Sequence, residues 1–243
     1  AQSGVYKLKL DISGEEYNSY ITKDGELFFI SGIDLTEAEE TTEESDTESQ
    51  ATGFDALDQE TPTIDLFVMS FCPYGQQAIN NIAPAIELLN EEIQFTPHYI
   101  VSMDDGIVTS LHGSKEADED MRQACIWKYY TENYWDYVLY VNKNIPLNNI
   151  NEKWTEAAEN IGLDIESIET CVEEEGVELM KAESELTGEL GVSGSPTLII
   201  NGERYSGERT PEAFKQAICS GFGEQPEVCS ETLEEGTAAD GSC

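Results

Sequence analysis

Residues 63–101, TIDLFVMSFCPYGQQAINNIAPAIELLNEEIQFTPHYIV, place a helical pattern between two strand-like apolar runs. A crossover of this length cannot be a tight hairpin, so the two strands should pair in parallel through a strand-helix-strand unit. The helix is expected from Gln76 to Asn90, with apolar residues at 78, 79, 82, 86 and 89 on one face and a kink at Pro84. Further on, SPTLIINGERYSG (195–207) is a strand, an Asn-Gly hairpin turn and a second strand. PEAFKQAICSGF (211–222) then closes the pattern as a helix with proline at its first position. Residues 114–190 between them are mostly helical in pattern, with Ser114 and Asp164 as expected N-caps and Gly162, Gly176 and Gly191 as expected helix ends. A sheet begun in parallel and finished by an antiparallel hairpin gives an α/β sandwich with helices inserted between its halves.

Cys72 stands at the junction of the first strand and its helix, within SFCPYGQQA. The first amides of a helix lack intrahelical partners and favour an anion, so a cysteine there has thiolate character and is a good leaving group. Pro73 suits the first helical turn, and Tyr74 offers a flat amphipathic surface. The same placement is also compatible with an inert buried cysteine. Pro196, directly before a hydrophobic strand, cannot donate to a ladder. A cis Ser195-Pro196 bond would free the backbone of Ser195 to pair with an extended polypeptide, whereas a trans proline before an edge strand fits the sequence equally well.

Charge divides the chain. There are 50 acidic and 12 basic residues, a formal charge of -38, and no Lys or Arg from Asp24 to Gly113. Such a surface repels nucleic acid and anionic membrane, and its self-repulsion favours a salt-rich, halophilic setting. No apolar run is long enough for a spanning helix. The opening AQSGVY is consistent with a mature chain after signal peptide removal, or merely with an engineered start. Residues 1–33 alternate like short strands, with a KDG turn at 23–25, and form a small β-rich extension. Residues 34–60 carry 11 acidic residues and little to bury, as expected of a linker. A domain over 61–222 and an acidic tail over 223–243 complete the division. With two histidines and no closely spaced cysteine pairs, neither a metal nor another cofactor is expected.

A strand followed by FCPYG at a helix start, then GSPTLIING before a hairpin and final helix, resembles the thioredoxin fold in its DsbA-like form, with residues 103–190 as the helical insertion. The resemblance implies that Cys72 is the nucleophile and Pro196 the cis proline. It also implies that Gly75 stands where a second, resolving cysteine is customary. LHGSKEADEDMRQAC (111–125) is similar to the signature of gamma-interferon-inducible lysosomal thiol reductases. His112, Gly113, Glu116 and Cys125 fit that signature; Ala117 replaces a cysteine, Asp120 an asparagine, and Ser110-Leu111 a Cys-Gln pair. YITKDGELFFISGIDL is similar to segments preceding the domain in secreted DsbC-like relatives.

Six well-separated cysteines point to disulfides outside the cytoplasm. Cys219 and Cys229 flank a short loop and are expected to pair, and Cys125 with Cys171 would staple the insertion. Cys243, last in the sequence, is expected to be mobile and open to intermolecular chemistry. Cys125 could resolve a mixed disulfide only if it lay near Cys72. His98 fits a hydrogen-bonded structural histidine, and Trp127, Tyr129, Tyr130, Tyr134, Trp135 and Tyr137 fit packing of the insertion, with any exposed subset able to bind unfolded polypeptide. The functional expectation is an extracytoplasmic thiol-disulfide oxidoreductase with a monothiol CPYG centre, of reductase or isomerase character. It would act on disulfide-containing or thiol-containing polypeptides with an external thiol reductant. The competing class is a catalytically silent polypeptide-binding or structural component, self-associating or part of an extracellular assembly.

Overall fold

The structure, a computed structural model, describes residues 5–12, 15–23, 28–29, 54–234, 236 and 241–243. The chain divides into two units, residues 1–49 and 50–243. In the first, β1 (Val5–Ile12), β2 (Glu15–Thr22) and β3 (Phe28–Phe29) form an antiparallel sheet in that order. The centre of the expected KDG turn, and most of the acidic stretch at 34–60, lie outside the described residues.

The second unit is built on β4 (Thr63–Val68), β5 (Gln94–Tyr99), β8 (Thr197–Ile200) and β9 (Glu203–Arg204), in the order β5-β4-β8-β9. β4 pairs in parallel with β5 and antiparallel with β8. The hairpin between β8 and β9 turns at Asn201 and Gly202, both at positive φ, as an Asn-Gly turn of the primed type requires. Being central, β4 is covered on both faces, so Ile64, Leu66, Phe67 and Val68 are all buried.

Helix α1 (Pro73–Leu89) runs through Pro84 and lays Ala78, Ile79, Ile82, Ile86 and Leu89 against the sheet. Each fully buried Ile or Leu contributes about 2 kcal/mol. A short hairpin, β6 (Ser102–Asp104) with β7 (Ile107–Thr109), leads into the inserted helices. These are α2 (Ser114–Tyr129), α3 (Tyr134–Asn144), α4 (Ile150–Ile161), α5 (Ile165–Glu174) and α6 (Gly176–Leu190). Helix α7 (Pro211–Cys219) returns to pack against α1. Trp127 and Trp135 meet Phe95 of β5, and Trp127 meets Tyr134 edge-on, so these aromatics join the insertion to the sheet.

Three local expectations are corrected. Gly113, not Ser114, precedes α2, because its φ of 103° provides the turn while Ser114 is already helical. Gly176 starts α6, whereas Gly162 and Gly191 end their helices in the left-handed conformation. Residues 54–60 also belong to the second unit. Ala56 is buried, and Gln59 exchanges backbone hydrogen bonds with Gly221 and Gly223, so this end of the acidic stretch is held by ladder-type bonds.

Cys125 is bonded to Cys171, joining α2 to α5, and Cys219 to Cys229. Closing loops of 46 and 10 residues is worth about 4 and about 3 kcal/mol in the chain-entropy account.

His98 stacks on Phe67 and reaches Asp65 through Nε2 at 3.2 Å and Glu183 through Nδ1 at 3.0 Å. Burial opposes its charge, but the hydrogen bonds and negative charge of Asp65 and Glu183 outweigh it and lift the imidazole from 6.5 to about 9. A pKa raised on folding stabilises fully below the unfolded value and is lost as pH rises through the folded one. Discounted for screening, the contribution is about 2 kcal/mol. Urea midpoints at constant salt should therefore fall between pH 6.5 and 9, and His98→Gln should flatten that segment of the profile.

Candidate functional site

Cys72 is the N-cap of α1, with extended backbone angles and its Sγ accepting the amide of Gly75 at 3.4 Å. Pro73, at the first helical position, has no N–H to leave unpaired. The amide donation and the helix dipole both favour negative charge on this sulfur. Its side chain lies in a small apolar cluster with Phe67, Met69, Ile100, Val192 and Ile199.

The turn before Cys72 is fixed by carboxylates from α2. Ser70 N–H donates to Asp120 Oδ1 at 3.0 Å, and Phe71 N–H to Glu116 Oε1 at 2.8 Å. Glu116 is fully buried, and its other oxygen accepts from His112 N–H at 2.9 Å and Ser110 Oγ at 2.7 Å. His112 Nδ1 also lies 2.9 Å from this carboxylate. Asp120 is fully buried with Oδ2 unpartnered; burial pushes its carboxyl well above the ordinary 3.8, against the hydrogen bond from Ser70. Burial likewise pushes up the Glu119 carboxyl, against the pull of its ion-pair partner Arg122. Of these α2 carboxylates, Glu116 and Asp120 stand out in sequence through the thiol-reductase-like stretch 111–125, whereas Glu119 is hard to single out among 50 acidic residues. Their signal is the three- and four-residue spacing of Glu116, Glu119 and Asp120, which puts them on one helix face.

Opposite Cys72 lies the loop before β8. The Ser195-Pro196 bond is cis, which selects one of the two alternatives open from sequence. Ser195 is buried, and its hydroxyl accepts Met69 N–H at 2.9 Å, tying this loop to the end of β4. Gly75 faces the same hydroxyl. A Cβ at 75 would stand 2.6 Å from Ser195 Oγ and 3.2 Å from the Met69 carbonyl oxygen, so the place of a second side chain in CPYG is already filled. Tyr74 remains partly exposed at the rim.

The expectation of a mobile Cys243 is corrected: it is disulfide-bonded to Cys72. Its N–H donates to the Ser195 carbonyl at 3.0 Å, and the Cys72 sulfur lies 3.3 Å from that same oxygen. Two glycines make room for the approach. A Cβ on Gly194 would meet Ser242 Oγ at 2.6 Å, and one on Gly241, whose φ is 113°, would meet the Tyr74 ring at 2.4 Å. The Gly241 carbonyl accepts from Arg209. Cys72 and Cys243 stand 171 positions apart, and no local sequence pattern links them. Cys72 is fully buried in this arrangement, while Cys243 stays partly exposed. Cys125, bonded within the insertion, is not brought to Cys72.

A cavity of about 450 Å³ opens beside the site, lined among others by Met69, Ile100, Leu111, Thr187, Val192 and Ser193. Leu111 is also largely exposed, so an apolar surface continues outward from the cluster around Cys72. Among the described residues no group of His, Cys, Asp and Glu is arranged to hold a metal, and no helix is long and apolar enough to cross a membrane.

A family model described as the vacuolar sorting receptor thioredoxin-like domain matches residues 102–219. The comparison with curated proteins found no match. Among solved structures, the reduced disulfide bond oxidoreductase DsbG from Mycobacterium tuberculosis superposes with a TM-score of 0.55 at 15% identity, over 72% of this chain and 88% of that one. Oxidised DsbA of the same organism gives 0.54 at 14% identity, over 75% and 94%. A putative protein disulfide isomerase from Nitrosomonas europaea gives 0.51 at 12% identity, over 65% and 96%. The chain has an α/β thioredoxin fold with a DsbA-like helical insertion and a small β-rich N-terminal extension.

Proposed function

We propose that the chain is an extracytoplasmic thiol-disulfide oxidoreductase of reductase or isomerase character, with Cys72 as nucleophile, Pro196 shaping the opposing loop and residues 61–222 as the thioredoxin-like domain that holds both. One observation carries this reading: the sulfur at the start of α1 is already engaged in a disulfide against the Ser195-Pro196 loop. In the reduced protein the Cys72 thiolate attacks a substrate disulfide, forms a mixed disulfide and expels one substrate thiolate. The expelled sulfur takes up a proton, and the enzyme remains covalently attached to the other half. CPYG holds no second thiol, so release requires a sulfur from outside the motif. The carboxylates on α2 position the 70–71 turn; Asp120 stands where the thiol-reductase signature has an asparagine.

Three disulfides among six cysteines support an oxidising location. A charge of -38 supports a salt-rich one, because ions screen the self-repulsion of the folded surface. Polypeptide substrates fit the cavity beside the site and the exposed Leu111. The test is thiol-dependent reduction of a protein disulfide over a range of KCl concentrations. Turnover above the uncatalysed rate is expected, highest in concentrated salt; absence of turnover at every concentration contradicts the reading. The second reading, a catalytically silent binding component, is favoured by the complete burial of Cys72 beneath residues 241–243. It predicts that Cys72 stays unreactive after reduction.

A further inference from the structure

We infer that Cys243 is the resolving thiol of this centre, delivered by a docked segment rather than by the CPYG motif. The inference rests on the proposed role of Cys72. Within the motif, the position of a second side chain is closed by Ser195 Oγ, 2.6 Å from where a Cβ on Gly75 would lie. A second sulfur is nevertheless bonded to Cys72, and it comes from Cys243. Its approach is built by contacts that do not involve sulfur. Cys243 N–H is held by the Ser195 carbonyl at 3.0 Å. The absent side chains of Gly194 and Gly241 leave the space taken by Ser242 and the Tyr74 ring, and Arg209 holds the Gly241 carbonyl.

The chemistry closes without an unnamed partner. After Cys72 has attacked a substrate disulfide, the Cys243 thiolate attacks the Cys72 sulfur of the mixed disulfide. The Cys72–Cys243 bond forms, the bond to substrate breaks, and the second substrate sulfur leaves as a thiolate that takes up a proton. The substrate disulfide has gained two electrons and two protons; the two protein thiols have lost them. A dithiol reductant restores the pair: one of its thiolates attacks the partly exposed Cys243 sulfur and Cys72 leaves as the thiolate favoured by α1. The second reductant thiol then displaces Cys243, and the reductant becomes the disulfide. A tethered thiol acts at an effective concentration in the millimolar range, which makes this release intramolecular.

Oxidised glutathione is a suitable probe, added to the full chain reduced at Cys72 and Cys243, followed by acid quenching and peptide mass mapping in the absence of other thiols. In the wild type, glutathionylated Cys72 should be transient and give way to the Cys72–Cys243 linkage. In Cys243→Ser the adduct should form at the same rate and persist at least about 100-fold longer. Gly241→Leu, which keeps both cysteines but blocks docking on Tyr74, should slow resolution without slowing adduct formation. Clearance of the adduct at the wild-type rate in Cys243→Ser would overturn the assignment while leaving Cys72 as nucleophile. Unaltered resolution in Gly241→Leu would overturn the docked delivery. Absence of any Cys72 adduct in all three proteins would overturn both the assignment and the function it rests on.

Discussion

Cys72→Ser is expected to reduce thiol-dependent disulfide reduction to the uncatalysed rate while leaving the reduced protein folded. A serine hydroxyl does not exchange with disulfides, so neither the mixed disulfide nor the bond to Cys243 can form. The fold should tolerate the change because serine is itself a favoured N-cap and can accept the Gly75 N–H in place of sulfur. The reduced variant should therefore keep the wild-type unfolding free energy within about 1 kcal/mol. The oxidised protein should differ more, since the bond spanning 171 residues can no longer restrict the unfolded chain. By chain entropy that restriction is worth up to about 5 kcal/mol. Activity assays beside urea titrations of the reduced and oxidised forms separate lost chemistry from lost folding. A variant that retains substantial turnover would move the nucleophile elsewhere.

Glu116→Ala should cost about 3–4 kcal/mol of stability, because one fully buried carboxylate serves several donors at once. Truncation leaves the buried Phe71 N–H without its acceptor and frees the 110–112 loop from α2. Glu116→Gln keeps one carbonyl oxygen and should lose less. The consequence for function is specific: the released turn, Ser70-Phe71, leads directly into Cys72. Folded Glu116→Ala should therefore form the Cys72 adduct more slowly than wild type, measured below the onset of its unfolding in urea. A stability loss under about 0.5 kcal/mol would mean that water replaces the carboxylate at little cost and that the turn is set by other bonds.

The parts legible in the sequence are those governed by local rules. The apolar positions of α1 recur at helical spacing and Asn201-Gly202 marks the hairpin, so the strand-helix-strand unit and its closing hairpin can be placed from residues alone, although α1 starts at Pro73 rather than at the expected Gln76. The Ser195-Pro196 isomer was not legible, because nothing local separates a cis bond from a trans proline before an edge strand. Residues 54–60 read as acidic linker in sequence because their partners, 221–223, lie far along the chain. The pairing of Cys243 is illegible for the same reason and because its segment has no apolar periodicity. Its fit depends on absent side chains at Gly194 and Gly241, a signal that only three-dimensional proximity makes readable. Gly75 changes meaning with the structure: in sequence it is a lost cysteine, whereas in space it is the gap that admits Ser195 Oγ.

The central claim, that Cys72 exchanges disulfides, is tested most directly by trapping its covalent intermediate with a protein substrate. The reduced Cys243→Ser chain is mixed with a disulfide-bonded polypeptide in concentrated KCl, quenched with acid and alkylating agent, and digested for peptide mass mapping. The predicted result is a cross-linked peptide joining Cys72 to a substrate cysteine, with none at Cys125, Cys171, Cys219 or Cys229. Recovery of Cys72 as a fully alkylated or unmodified thiol with no substrate attached, at every salt concentration, would contradict the account.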